Sequence, residues 1–182
     1  MSPEGTADTT WNVGSAGEKD VYALALTHNG GCVYAELKSL PPTSCSAEAE
    51  SLGSIQVSHR AVQGRSTLQS LGVMQTQPTT LLGDCEPSLR AMEGAPAVGR
   101  LRHAMRRWAI VTARCQTRET RLAHVTDPWN WVDFMTKWVD QAKVERSLFY
   151  LYNVRARREH PAEGDRLPSD AFAATLRAES EA

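Results

Sequence analysis

Seven arginines, Arg100, Arg102, Arg106, Arg107, Arg114, Arg118 and Arg121, lie in a stretch whose only acidic residue is Glu119. Guanidinium forks match phosphate oxygens, and counterion release drives their binding to a polyanion. Contact with a nucleic-acid backbone is therefore the functional reading of this segment. On a helix advancing about 100° per residue, Leu101, Ala104, Met105, Trp108, Val111 and Cys115 share an arc of about 120°. Arg100, Arg102, Arg106, Arg107 and Arg114 occupy the remainder, so one face packs and the other is cationic. His103 lies at the edge of that face. The alternative is a solvated arginine face that only keeps the chain soluble, with His103 a partly exposed structural histidine.

Other chemistries find less support. Cys32, Cys45, Cys85 and Cys115 stand 13, 40 and 30 residues apart, without a C-x-x-C pair or a histidine at ligand spacing. They read as reduced, mostly buried thiols and not as a zinc site. No G-x-x-x-x-G-K-[ST], H-E-x-x-H or G-x-S-x-G occurs, which leaves P-loop nucleotide hydrolysis, zinc proteolysis and serine hydrolysis unsupported. Trp129, Trp131 and Trp138 offer either base stacking or an aromatic core for the last helix, and the core is the expectation.

The elements that must position these residues follow from pattern and punctuation. Val21 to Thr27 and Cys32 to Lys38 are apolar or alternating runs joined by His28-Asn29-Gly30-Gly31, a hairpin signal. Pro41-Pro42 breaks the chain. Ser44 or Ser46 can then cap a helix running to about Leu71, with Glu48 and Glu50 in its first turns. Thr79 to Gly83 reads as a short buried strand ending at Asp84, followed by a helix over Pro87 to Glu93 and a Gly94-to-Gly99 loop before the arginine helix. Leu122 to Thr126 predicts a further strand, and Asp127-Pro128 opens a helix from Trp129 to about Leu151. A hairpin followed by strands alternating with helices implies an α/β fold, a mixed sheet with helices on its faces.

The 182 residues, with 20 basic and 21 acidic side chains, suffice for one domain with its own core. The even total hides a partition, because residues 1–60 carry three basic groups against seven acidic ones while the arginines cluster later. The longest apolar run, Val21 to Leu26, is far short of a membrane-spanning helix. The first eighteen residues hold no Lys or Arg and no apolar block, so the expected compartment is cytoplasmic or nuclear. Residues 1–20 are expected to be frayed or disordered, residues 21–152 to form the domain, and residues 153–182 to be a disordered charged tail, with at most a short helix around Ala171 to Leu176.

Three segments in this order resemble the ribonuclease H domain at the end of copia-type LTR retrotransposon polyproteins. Ser44-Cys-Ser-Ala-Glu-Ala-Glu50 resembles that family's Ser-Ser-Thr-Glu-Ala-Glu. Thr79-Thr-Leu-Leu-Gly-Asp84, followed by Cys85-Glu86-Pro87-Ser88, is similar to its strand ending in Asp-Asn-Gln-Ser. Val132-Asp-Phe-Met-Thr-Lys137 is similar to its Ala-Asp-Ile-Leu-Thr-Lys helix. Between the last two, Arg100-Leu-Arg-His103 stands where the family has Arg-Thr-Lys-His, and His124-Val-Thr126 where it has Tyr-Val-Pro. The likeness spans about Val21 to Val139.

This resemblance implies a ribonuclease H-like sheet and hydrolysis of the RNA strand of an RNA–DNA hybrid. In that chemistry carboxylates hold two Mg²⁺ ions roughly 3.5–4 Å apart. Carried over by position, Glu50 matches the helix glutamate, Asp84 the strand-end aspartate and Asp133 the aspartate of the last helix. Taken singly, Glu50 could be a first-turn glutamate favoured by the helix dipole, Asp84 a cap for the following helix, and Asp133 a surface residue. The family's first carboxylate ends an opening strand, and its nearest match is Asp8 in Asp8-Thr-Thr-Trp11. Met1 to Ala7 hold no apolar run for a central strand, so the expectation is a sheet lacking its first strand. Cys85 replaces the family's asparagine, Met105 replaces an acidic residue, and nothing resembles the preceding reverse transcriptase, as in a 3′ fragment or diverged descendant. The implied partner is an RNA–DNA hybrid or other duplex held by Arg100, Arg102, His103, Arg106 and Arg107. The alternative is a catalytically inactive remnant that binds nucleic acid or protein.

Overall fold

The computed structural model describes residues 3–10, 19–29, 31–93 and 105–152, the last stretch without the side chains of residues 105–107. Among these residues one mixed sheet runs in the order β3-β2-β1-β4-β5. Its strands are β1 (Glu4–Thr9), β2 (Val21–His28), β3 (Gly31–Ser39), β4 (Thr79–Gly83) and β5 (Thr120–His124). β1 pairs antiparallel with β2 and parallel with β4, and β4 pairs parallel with β5. The hairpin expected from Asn-Gly is β2–β3, with Asn29 at φ 54° supplying the left-handed turn residue.

Helices cover both faces, as expected. On one, α1 (Ser46–Ser70), α2 (Glu86–Met92) and α3 (Met105–Gln116) pack Val57, Ala61, Leu89, Met92, Trp108 and Val111 against Ala7, Leu24 and Leu26. On the other, Trp131 and Val132 precede α4 (Asp133–Thr136), and α5 (Gln141–Leu151) contributes Tyr150 and Leu151; together they cover Ala23 and Ala25. Trp131 and Tyr150 stack at 4.1 Å between centroids. Trp131 thus belongs to the core, as expected, whereas Trp138 is fully exposed.

The opening strand is present and central, which corrects the missing first strand and, over Glu4–Thr9, the frayed segment expected across residues 1–20; residues 11–18 lie outside the described residues. β1 lacks an apolar run because helix α1 lies too close to admit large side chains. A Cβ on Gly5 would stand 2.7 Å from Val57 Cγ2, 3.1 Å from Leu26 Cδ2 and 3.2 Å from Leu81 Cδ2. A Cβ on Gly53 would stand 2.8 Å from Thr9 Cγ2. Those glycines make a close helix–strand contact, and the small side chains of Ala49, Gly53 and Ala61 repeat along α1 at helical spacing. Gly5→Ala is therefore expected to destabilise the domain by about 1–3 kcal/mol despite the stiffer backbone, through overpacking on three sides. Chemical denaturation measures this, and an unchanged midpoint would refute the close contact.

Other boundaries shift for local reasons. The single helix expected over Trp129 to Leu151 becomes a 3-10 turn at Asp127–Trp129, α4 and α5. Lys137 is extended (φ −134°, ψ 156°), and Asp140 starts a new helix by accepting a hydrogen bond from the Lys143 N–H at 2.7 Å. Cys45 takes the N-cap position of α1, while Glu48 reaches back to the Ser44 N–H and Oγ at 2.9 and 2.8 Å. β5 starts at Thr120, two residues before the expected strand. The four cysteines are free thiols, as expected, but half-buried. Ala171 to Leu176 and the rest of the expected tail lie outside the described residues.

Candidate active site

Parallel pairing brings the C-terminal ends of β1 and β4 to the same edge of the sheet. The register Thr6↔Leu82, carried two residues on, sets Asp8 beside Asp84. α1 runs antiparallel to β1, since Gly53 lies over Thr9 and Val57 over Gly5. Its first turns therefore project past the strand end, and Glu50 arrives there. One carboxylate oxygen from each of Asp8, Glu50 and Asp84 lies within 4.8 Å of the others. The helix-cap alternative for Asp84 fails, because Cys85 holds that position and no side chain caps α2.

Asp8 is fully buried and carries most of the polar contacts. Asn130 Nδ2 donates to Asp8 Oδ1 at 3.1 Å and to Asp84 Oδ2 at 3.4 Å. The Thr136 hydroxyl donates to Asp8 Oδ2, and Lys137 Nζ stands 3.2 Å from Oδ1. The 3-10 turn after β5 delivers Asn130, and the one turn of α4 places Thr136 and Lys137. Burial pushes the Asp8 carboxyl up to about 6; Lys137 and Thr136 oppose the shift, and the charges of Asp84 and Asp133 add to it. Burial, followed by the charges of Asp84 and Asp8, pushes Glu50 up to about 8.

Asp133 is also buried, which removes its reading as a surface residue, but it lies outside the three-carboxylate group. Lys137 Nζ is 2.8 Å from its Oδ1, and Lys143 Nζ bonds its Oδ2. Burial alone would raise this carboxyl, but the two ammoniums outweigh it and hold it below its ordinary value. Asn130, Thr136, Lys137 and Lys143 were not assigned roles from sequence. Thr136 and Lys137 fall within the Val132-to-Lys137 likeness, which carried a signal for them, whereas Asn130 had none.

Arg100, Arg102 and His103 lie outside the described residues, as do the side chains of Arg106 and Arg107. Two other members of the arginine cluster serve the fold. Arg114 donates to Ser58 Oγ at 2.8 Å and lies 3.2 Å from His59 Nδ1, and Arg121 Nε donates to Thr80 Oγ1 at 2.8 Å. Arg114 was expected on the solvated cationic face. α1 lies close enough to α3 to take it instead.

The donor set fits a hard divalent cation. Asp8, Glu50 and Asp84 offer only oxygen, the ligand type that suits Mg²⁺ or Mn²⁺. Burial is the main cause of the upward shifts of Asp8 and Glu50, with the neighbouring carboxylates adding to it, and a cation between them would offset both.

Neither a protein-family model nor a curated protein sequence matches this chain. Solved structures do. LC11-RNase H1 in complex with an RNA/DNA hybrid aligns over 70% of this chain and 88% of its own, with a TM-score of 0.51 and 11% identity. RNase H1 from the halophilic archaeon Halobacterium salinarum aligns over 71% and 89%, with a TM-score of 0.50 and 16% identity. The N-terminal RNase H domain of a Mycobacterium tuberculosis protein, solved as a maltose-binding-protein fusion, aligns over 81% and 96%, with a TM-score of 0.51 and 14% identity. The fold is ribonuclease H-like, as expected from the sequence. No helix of the described residues is long and apolar enough to cross a membrane.

Proposed function

We propose that this chain is a ribonuclease H, descended from a copia-type retrotransposon polyprotein, that hydrolyses the RNA strand of RNA–DNA hybrids. The observation that carries this reading is the convergence of Asp8, Glu50 and Asp84 from β1, α1 and the end of β4. The fold shared with an RNase H1 bound to an RNA/DNA hybrid supports the substrate class. The copia origin rests on the order of the three sequence motifs.

Asp8, Glu50 and Asp84 would hold Mg²⁺. Bound there, the ion supplies activation of water and neutralisation of charge on the scissile phosphate. Asp8 would be a ligand held in place by the Thr136 hydroxyl on Oδ2 and by Asn130 on Oδ1. Asn130 also bonds Asp84, which sets the spacing between the two strand-end carboxylates. Glu50, protonated in the metal-free site, would have to give up its proton to serve as a ligand. The arginine segment that leads into α3 is assigned to the hybrid backbone, with Arg100, Arg102, His103, Arg106 and Arg107 as its contacts.

A second reading, an inactive nucleic-acid-binding remnant, is favoured by one observation: Lys137 already pairs with both Asp8 and Asp133. End-labelled RNA–DNA hybrid incubated with the parent and with Asp84→Asn separates the two. The enzyme gives Mg²⁺-dependent cleavage of the RNA strand that is lost in EDTA and in the variant. Hybrid binding without cleavage by the folded parent, in Mg²⁺ or Mn²⁺, would overturn the enzyme reading.

A further inference from the structure

We propose that Lys137 is the site's second cation: one divalent ion binds at Asp8, Glu50 and Asp84, and the Lys137 ammonium fills the place between Asp8 and Asp133. The inference rests on the metal-binding reading above and departs from the two-ion arrangement that the motifs imply.

Lys137 Nζ stands 3.2 Å from Asp8 Oδ1 and 2.8 Å from Asp133 Oδ1, so it bridges the two carboxylates as a shared cation would. An ammonium is a compact point charge with three donors, and two of its contacts are already carboxylate oxygens. The backbone supports this placement. Lys137 follows Asp133 by one helical turn, and α4 stops there, so the side chain returns over its own turn while the chain leaves in an extended conformation.

Both Asp133 oxygens face an ammonium: Oδ1 is paired with Lys137 and Oδ2 with Lys143. Lys143 is itself largely buried, and its other partner, Asp127, is an exposed carboxylate solvated by water. Charge points the same way. Lys137 and Lys143 already set two positive charges against Asp8 and Asp133. A second divalent ion sharing Asp8 with Asp133 would meet the Lys137 ammonium at contact distance.

Counting bound Mn²⁺ by electron paramagnetic resonance, with calorimetric titration alongside, tests this on the whole chain. The parent is expected to bind one Mn²⁺ near neutral pH. Lys137→Met removes the ammonium from between Asp8 Oδ1 and Asp133 Oδ1, and is expected to bind a second. Lys137→Arg, which keeps the charge, is expected to remain at one. Lys137→Gln serves in place of the Met variant if circular dichroism shows that variant unfolded. Two ions on the parent, or one on a folded charge-removed variant, would overturn the role of Lys137 and leave the metal site standing. No ion on any variant would remove the metal-binding reading itself, and the inference with it.

Discussion

Glu50→Gln is expected to raise the melting temperature of the metal-free domain at pH 8 while lowering hybrid cleavage on the order of a thousandfold. The two effects have one origin. Glu50 reaches the strand ends where Asp8 and Asp84 already stand, and burial together with their charges pushes its carboxyl up to about 8. The unfolded chain releases that proton near the ordinary value of 4.5. A carboxyl raised in this way binds more protons folded than unfolded, so stability falls as pH rises from about 4.5 to about 8. Ionised Glu50 therefore costs the metal-free fold a few kcal/mol at pH 8, and a neutral amide escapes that cost. For a domain of this size the gain corresponds to roughly 5–10 °C. It shrinks as pH falls and vanishes near pH 4, where the parent is protonated in both states. Mg²⁺ reverses the ranking, because an ion that binds only the folded parent stabilises it by mass action. Calorimetry in EDTA at pH 4, 6 and 8, repeated with Mg²⁺, reads the whole pattern. Equal or lower melting of the variant in EDTA at pH 8 would show that the three carboxylates are not in conflict.

What the residues disclosed in advance depended on whether their burden was local. The β2–β3 hairpin was legible because Asn29 and its glycines punctuate two extended runs, and β4 because Thr79 to Gly83 is a continuous buried segment. Strand β1 was not, because a strand read from bulky side chains cannot be found where Gly5 and Ala7 make room for α1. Asp8 was named only through motif likeness, and its strand is what fixes its position beside Asp84. Glu50 and Asp84 were legible from the order of the motifs; parallel pairing of β1 with β4 brings Asp84 to Asp8, and α1 brings Glu50. Asp133 kept its place in the motif, buried beside the three-carboxylate group but not within it. Two lysines reach it, and which charges meet across a turn is decided by the break at Lys137, a feature that periodicity runs straight through. Arg114 likewise left the cationic face for Ser58 and His59 once α1 and α3 packed together.

A second ionisable centre should oppose the first, and Glu36→Gln is expected to lose about 2 kcal/mol at pH 7. Glu36 is only 8% exposed although β3 is an edge strand. The Tyr22 hydroxyl donates to its Oε1 at 2.5 Å, and Tyr34, Lys38 and Arg60 donate to Oε2 at 2.5, 2.6 and 2.8 Å. Arg60 comes from α1 and also lies over the Tyr34 ring at 5.2 Å, so the cluster pins the edge of the sheet to the helix. Burial works against the charged form of Glu36, but these donors outweigh it and hold the carboxyl at about 2. A shift from 4.5 to about 2 is worth roughly 3 kcal/mol at full strength. The Lys38 and Arg60 side chains are 56% and 30% exposed, and solvent screening reduces the figure to about 2. Here the sign is the reverse of that for Glu50: a depressed carboxyl contributes stability above its unfolded value and loses it as pH falls through about 2. Glu36→Gln should therefore melt roughly 4–8 °C below the parent at neutral pH, with the gap closing toward pH 2. An unchanged melting temperature at pH 7 would mean that solvent already carries the cluster's charge. Together the two centres place the stability maximum of the metal-free protein on the acid side of neutrality, where Glu36 is still ionised and Glu50 and Asp8 are largely protonated. Mg²⁺ should move that maximum upward, and Glu36→Gln should erode its acid flank while Glu50→Gln flattens its alkaline one.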